Sequence, residues 1–231
     1  MVKVGAITVG QSPRPDVTVD IINILSDNVE LIEAGALDGL SATELDAIRP
    51  QGGEDQLVTK LNDSTEFIFG ERYIYPLLQK RINELESCGV ELIMVLCCGD
   101  FPDSVTSNVP LILPRRVLNA IAAAASNKSR VAVLSVPELV KQWKEIWAKQ
   151  VKSVTVLPVT PYGDDAWVQL DKVMPILKEA DTDLVILDCI AYSDEMKQKV
   201  RKETGKNVLC SRTTLAHVTA ELLALPAIAL E

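Results

Sequence analysis

Histidine is almost missing from this chain: His217 is the only one in 231 residues. A histidine-based zinc site or a Ser-His-Asp triad would have to rest on that one side chain, and neither is expected. No G-x-G-x-x-G is present, which argues against a dinucleotide-binding loop. No C-x-x-C spacing is present either, so a metal site built on Cys97, Cys98 and Cys189 is not expected. No cofactor is predicted. No run of 18 apolar residues occurs, and no membrane span is expected. Basic residues are outnumbered, 23 against 32 acidic, giving a net charge of −9. Such a surface repels phosphate backbones, and the pair Arg115-Arg116 stands alone without forming a basic stripe. Nucleic acid is therefore not an expected partner. The opening MVKVGAITVG reads as a first strand and not a signal peptide. With five cysteines, an odd number, a disulfide scaffold is not indicated, and the reducing cytoplasm is the expected compartment.

What is present is an ordinary globular composition, 48% hydrophobic and 24% charged. The length suits one domain or two of about 100 residues each. Strand and helix signals alternate. VKVGAIT (2–8) reads as a strand, followed by the loop GQSPRPD and a helix capped by Asp16. VELIEA (29–34) is a second strand. Residues 35–61 read as loops and short helices, and EFIF (66–69) as a third strand. A helix is predicted over 71–87. ELIMVL (91–96), apolar on both faces like a central parallel strand, runs into Cys97-Cys98-Gly99-Asp100. PLIL (110–113) and a helix near 115–125 follow. The order then restarts with strands at 130–135, 154–159, 183–188 and 207–210, separated and followed by helices.

This alternation predicts an α/β protein with two pseudo-symmetric lobes, each a parallel sheet flanked by helices. The first lobe is assigned to 1–116, joined by a C-terminal helix at 211–231, and the second to 117–210. Each half ends its strongest strand in a cysteine, Cys97 and Cys189, which stand 92 residues apart. Ligands of parallel sheets bind beyond the carboxyl ends of strands. Two facing lobes would aim both thiols at one cleft. A helix start just after a strand end favours the thiolate. One thiolate can then remove a proton from a carbon next to a carboxyl or carbonyl group while the other thiol returns one to the opposite face. The plainer reading is that a buried strand cysteine is a small hydrophobe. Cys88, late in a helix, and Cys210 are left with that reading.

The segment CCGDFP (97–102) resembles the CxGDPG-type segment of hydantoin racemases, and VILDCIAYS (185–193) resembles the second-cysteine segment of the Asp/Glu/hydantoin racemase superfamily. TVGQSPRPDV, GGEDQLVTKLND (52–63) and LDC (187–189) more closely resemble the AroM family, a relative of those racemases, over nearly the whole chain. The resemblance implies an Asp/Glu racemase-like fold, with Cys97 and Cys189 in the two acid/base positions and Cys98 as a neighbour. Gly99-Asp100 stands where amino-acid racemases carry an Asn-Thr pair.

The loop after the first strand supplies the candidate substrate-binding residues Thr8, Gln11, Ser12 and Arg14, with Gly99 from the first cysteine segment. Ser12 and backbone N–H groups suit a carboxylate, and Arg14 suits pairing with it. A proline-stiffened turn with a solvated arginine is the alternative. Asp100 and Asp194 read as caps for following helices, Arg72 as a surface ion pair, His217 as a packed helix residue, and Trp143 with Trp147 as core or a subunit contact. Two functions are carried forward. The first is a cofactor-independent racemase- or epimerase-like isomerase acting on a small carboxylate or cyclic amide, with a decarboxylase as a variant. The second is a non-catalytic protein binding a small anionic ligand in the same cleft. A homodimer is the default assembly.

Overall fold

The mostly apolar segment Val2–Thr8 forms β1 and is buried from Val4 onward. The computed structural model describes residues 1–26, 28–125 and 130–225. After β1 come α1 (Pro15–Leu25), β2 (Val29–Gly35), α2 (Ala42–Ala47), β3 (Gln56–Lys60), β4 (Glu66–Gly70), α3 (Glu71–Ser87), β5 (Leu92–Val95), β6 (Leu111–Ile112) and α4 (Pro114–Ala125). Then follow β7 (Arg130–Ser135), a 3-10 turn (Pro137–Leu139), α5 (Val140–Ala148), β8 (Ser153–Pro158), α6 (Asp165–Glu179), β9 (Leu184–Leu187), α7 (Asp194–Thr204), β10 (Asn207–Cys210) and α8 (Ser211–Leu222). Contacts divide the chain into two units: Met1–Leu113, joined by the chain from Ala216 on, and Pro114–Leu215.

The first unit has a four-stranded parallel sheet in the order β2-β1-β5-β6. The second has one in the order β8-β7-β9-β10, also parallel throughout. Position for position, the strand orders are the same. The repeat extends to single hydrogen bonds at the sheet ends. Glu91 N donates to Lys3 O at 2.8 Å, and Asp183 N to Arg130 O at 2.8 Å. Leu96 N donates to Ile7 O at 2.7 Å, and Asp188 N to Leu134 O at 3.0 Å. Ala36 N donates to Thr8 O at 2.9 Å, and Val159 N to Ser135 O at 2.9 Å. These pairs align β1 with β7, β2 with β8 and β5 with β9, residue by residue. The central strands β5 and β9 are buried along their whole length, as parallel strands covered on both faces must be. Each unit has its own core: Phe69, Ile74, Leu78 and Ile93 anchor the first, and Leu134, Leu170, Leu187 and Tyr192 the second. Each such side chain contributes about 1.5–3 kcal/mol of burial.

Six local expectations are corrected. EFIF does form a strand, β4, but it pairs antiparallel with β3 in a hairpin outside the parallel sheet. β3 itself was expected to be loop, because Gln56, Thr59 and Lys60 dilute its apolar signal. Asp16 lies inside α1, which starts one residue earlier because Pro15, with fixed φ and no N–H, suits the first helical position. Asp100 caps nothing, since 96–110 between β5 and β6 contains no helix, whereas α7 fills the equivalent stretch between β9 and β10. His217 is exposed and not packed. Asp194 opens α7, but Ser193 is its cap, accepting from Met196 N at 3.2 Å. Among the described residues no helix is long and apolar enough to cross a membrane.

Candidate functional site

In each sheet the chain reverses its direction of travel beside the first strand, between β1 and β5 in one unit and between β7 and β9 in the other. These are the topological switch points at which open α/β sheets bind ligands. Cys97 is the second residue past the end of β5, and Cys189 the second past the end of β9. The hydrogen-bond equivalences above make them the same position of the repeat.

Cys97 is 7% exposed and its neighbour Cys98 is 4% exposed. Gly99 N–H donates to Cys97 Sγ at 3.4 Å, a contact that stabilises negative charge on sulfur. Gly99 is closely covered: a Cβ there would lie 3.1 Å from a Leu57 methyl and 3.2 Å from the Phe101 ring, tighter than an ordinary contact. The β3–β4 hairpin thus packs on the cysteine loop. Phe101 meets Tyr75 edge-on at 6.2 Å. Burial first, and then the Glu71 carboxylate with Asp100 and Asp55, pushes the Tyr75 hydroxyl well above its ordinary value, so it remains a donor.

Cys189 is held far more firmly. Its carbonyl accepts from Ser211 Oγ at 2.7 Å and from Tyr192 N at 3.2 Å. Arg212 donates to the carbonyls of Ile190 at 3.0 Å and Ala191 at 2.9 Å. Cys210 Sγ donates to Tyr192 O at 3.3 Å, and Tyr192 Oη donates to Val159 O at 2.5 Å. Every carbonyl from 189 to 192 is therefore engaged. The thiol itself is half-buried, with Tyr162 Oη 3.9 Å from Sγ. Just before it, the buried Asp188 carboxylate takes Arg115 Nη1 at 2.5 Å and Trp147 Nε1 at 2.6 Å. The Arg115 guanidinium also stacks 4.2 Å from the centre of the Trp143 ring.

Burial pushes the Cys210 thiol above its ordinary value of 9.0, and burial likewise raises Tyr192. The folded state thus holds these protons more tightly than the unfolded chain. Their stabilisation is complete below the ordinary thiol range and is lost as pH rises through the folded values. Melting temperature should fall on the alkaline side of pH 9, and the fall should be shallower in Cys210→Ala. An equally steep fall in that variant, followed by circular dichroism, would assign the alkaline loss elsewhere.

The loop after β1 is locked internally. Thr8 Oγ1 accepts from Gly10 N at 3.2 Å, a turn hydroxyl. Gln11 Oε1 accepts from Asn62 N at 2.9 Å. Ser12 donates to Asp38 through N at 2.8 Å and Oγ at 2.6 Å. Arg14, 4% exposed, makes a two-pronged contact with Asp16 at 2.8 Å, so it is not the solvated arginine of the alternative reading. Beside the loop lies a pocket of about 370 Å³ bounded by Arg14, Asp16, Lys60 and Asn62, among others. Arg72 is exposed and pairs with Glu54 at 2.9 Å. Among the described residues no group of three His, Cys, Asp or Glu is placed to hold a metal ion.

Sequence reasoning missed Arg115, Tyr162, Tyr192, Ser211 and Arg212. Adjacent residues on a helix point about 100° apart, so Arg115 is buried while Arg116 is exposed. The available signal was Trp143 and Trp147, one turn apart, which form the aromatic bed for that guanidinium.

Two topologically repeated parallel α/β units, each with a cysteine at its switch point, define an Asp/Glu racemase-like fold. The chain resembles an allantoin racemase from Klebsiella pneumoniae at TM-score 0.68 and 13% identity, over 97% of this chain and 89% of that one. It resembles an aspartate racemase from Picrophilus torridus at 0.64 and 13%, over 99% and 96%. A maleate isomerase from Pseudomonas putida gives 0.62 and 15%, over 97% and 94%. No match is found among curated proteins. Residues 4–223 match the family described as AroM protein, and the chain belongs to the AroM family.

Proposed function

We propose that this AroM-family protein is a racemase- or epimerase-like isomerase that uses cysteine acid/base chemistry on a small carboxylate or cyclic amide. The observation that carries the reading is the repeat itself: Cys97 and Cys189 occupy one equivalent position beyond β5 and β9. The racemase and isomerase names of the structural relatives agree with it.

In this reading one cysteine, as thiolate, takes the proton from a carbon beside a carbonyl. The electron pair left on carbon is delocalised into that carbonyl as an enolate. The other cysteine, as thiol, delivers its proton to the opposite face, and the two sulfurs end with their protonation states exchanged. The Gly99 amide steadies Cys97 as an anion, and Tyr162 Oη is placed to do so for Cys189. The loop bearing Thr8, Gln11, Ser12 and Arg14 serves as a rigid wall. Its polar side chains are matched to Gly10, Asn62, Asp38 and Asp16.

The same internal matching, with the burial of Cys97, favours a second reading as a binder of a small anion without turnover. Proton exchange separates the two. The protein is incubated in D2O with amino acids, hydroxy acids, substituted malonates and hydantoins while the α-proton signal is followed by NMR. Exchange of at least one class is expected, with a loss of at least about a thousandfold in Cys189→Ala. Stabilisation by a compound in the panel with no exchange of any would select the binding protein.

A further inference from the structure

The repeat provides an internal control for the residue before each cysteine. Asp188 and Leu96 are equivalent, and both donate their amide to the neighbouring strand, to Leu134 O and Ile7 O. Leucine therefore satisfies the backbone at this point, and the architecture does not require a carboxylate. Yet in the second unit an ion pair stands there, with side-chain exposures of 1% for Arg115 and 0% for Asp188. A fully buried pair is a poor way to add stability, because desolvating both charges offsets their attraction. The pairing is also lopsided: Arg115 and Trp147 both bond Oδ2, while Oδ1 is buried with no hydrogen-bond partner among the described residues. A network selected for stability alone would use both oxygens.

We propose that Arg115 and Asp188 are positioning residues that set the charge balance behind Cys189, so that the thiol's ionisation depends on both members of the pair. The inference deepens, and rests on, the assignment of Cys189 as an acid/base group. The negative charge next to the cysteine in sequence would oppose a thiolate, and the Arg115 guanidinium cancels it. Stacking on Trp143 and Trp147 holds that cation in place. Among the described residues, the other titratable groups around the cysteine loop include Tyr162, Tyr192, Cys210, Arg212 and Lys197, the last bonded to Thr213 Oγ1 at 3.0 Å. Tyr162 Oη is in contact with Sγ, Tyr192 and Cys210 are both raised by burial, and Arg212 is committed to the Ile190 and Ala191 carbonyls. None of these is altered by the substitutions below.

The test is the pH profile of iodoacetamide alkylation of Cys189 in the full chain, resolved by mass spectrometry. Exposed Cys88, in the other unit, serves as reference. Asp188→Asn leaves an uncancelled cation and should move the Cys189 midpoint down by about one pH unit, a tenfold change in thiol ionisation. Arg115→Met leaves the carboxylate without its cation and should move the midpoint up. The double variant Arg115→Met/Asp188→Asn should return it to the wild-type value. Cys88 should not move. A merely structural pair cannot produce opposite shifts that cancel. The inference is overturned if the Asp188→Asn midpoint stays or rises, or if its shift persists in the double variant. Should one single variant not fold, the other together with the double still decides. Alkylation needs no substrate, so a failed charge test leaves the proton-exchange result intact. Absent exchange with opposed alkylation shifts would remove the isomerase reading while leaving the pair's action on the thiol.

Discussion

Arg115→Met should lower unfolding free energy by about 3–5 kcal/mol, because it strands the Asp188 carboxylate in a site from which water is excluded. Asp188 has no exposed side-chain surface, and among the described residues its remaining side-chain donor would be Trp147 Nε1. Methionine matches the arginine stem in length, so packing against Trp143 and Trp147 is largely kept and the loss reports the charge. Adding Asp188→Asn removes the stranded charge, and the double variant should regain most of the stability. Urea denaturation at pH 7 measures all three. A loss below about 1 kcal/mol for Arg115→Met would mean that the carboxylate finds water, as surface pairs do.

Gly35→Ala should be nearly as damaging, for a steric reason. A Cβ at Gly35 would stand 2.5 Å from Ser12 N, 2.7 Å from Gly10 O and 2.5 Å from Asp38 Oδ1. Two of these three are backbone atoms, so no side-chain rotation relieves the clash. The loop after β1 would have to move, and with it the Asp38 contacts to Ser12 and Gly35. Forced overpacking costs about 1–3 kcal/mol, and each lost bond to the carboxylate about 1.5–3 kcal/mol more. A total loss of about 3 kcal/mol or more is expected. Gly52→Ala is the control: nothing lies within 4 Å of its Cβ position, and its effect should stay within about 0.5 kcal/mol. If the two variants melt alike, the close approach at Gly35 is not a constraint.

The strands were legible wherever burial on both faces wrote a continuous apolar run, as in Leu92–Val95 and Leu184–Leu187. Periodicity likewise marked α3, whose buried residues recur three and four positions apart. The β3–β4 hairpin was half-read because a two-stranded ribbon buries one face only, and β3 alternates buried Leu57 and Thr59 with half-buried neighbours. The two cysteines were legible as candidates because each follows the strongest strand of its half. Their environments were not, since hydrogen-bond partners come from distant positions. Arg115 and Asp188 are 73 residues apart in sequence. Arg14 illustrates the reverse case: Asp16, two residues on, takes both prongs of its guanidinium.

The sequence by itself determined the α/β class, the alternation of the parallel-sheet strands with their helices, and the delivery of a cysteine at the end of each strongest strand. These follow from local rules, namely the period of apolar residues and the few residue types that start and stop helices. Only the tertiary structure decided that Cys189 sits in a loop with every carbonyl engaged, that Arg115 and not Arg116 is buried, and that the loop after β1 turns its polar groups inward. Those outcomes depend on which distant groups meet once water is excluded, and burial makes each unmet charge or hydrogen bond costly enough to choose among partners that local sequence leaves equivalent.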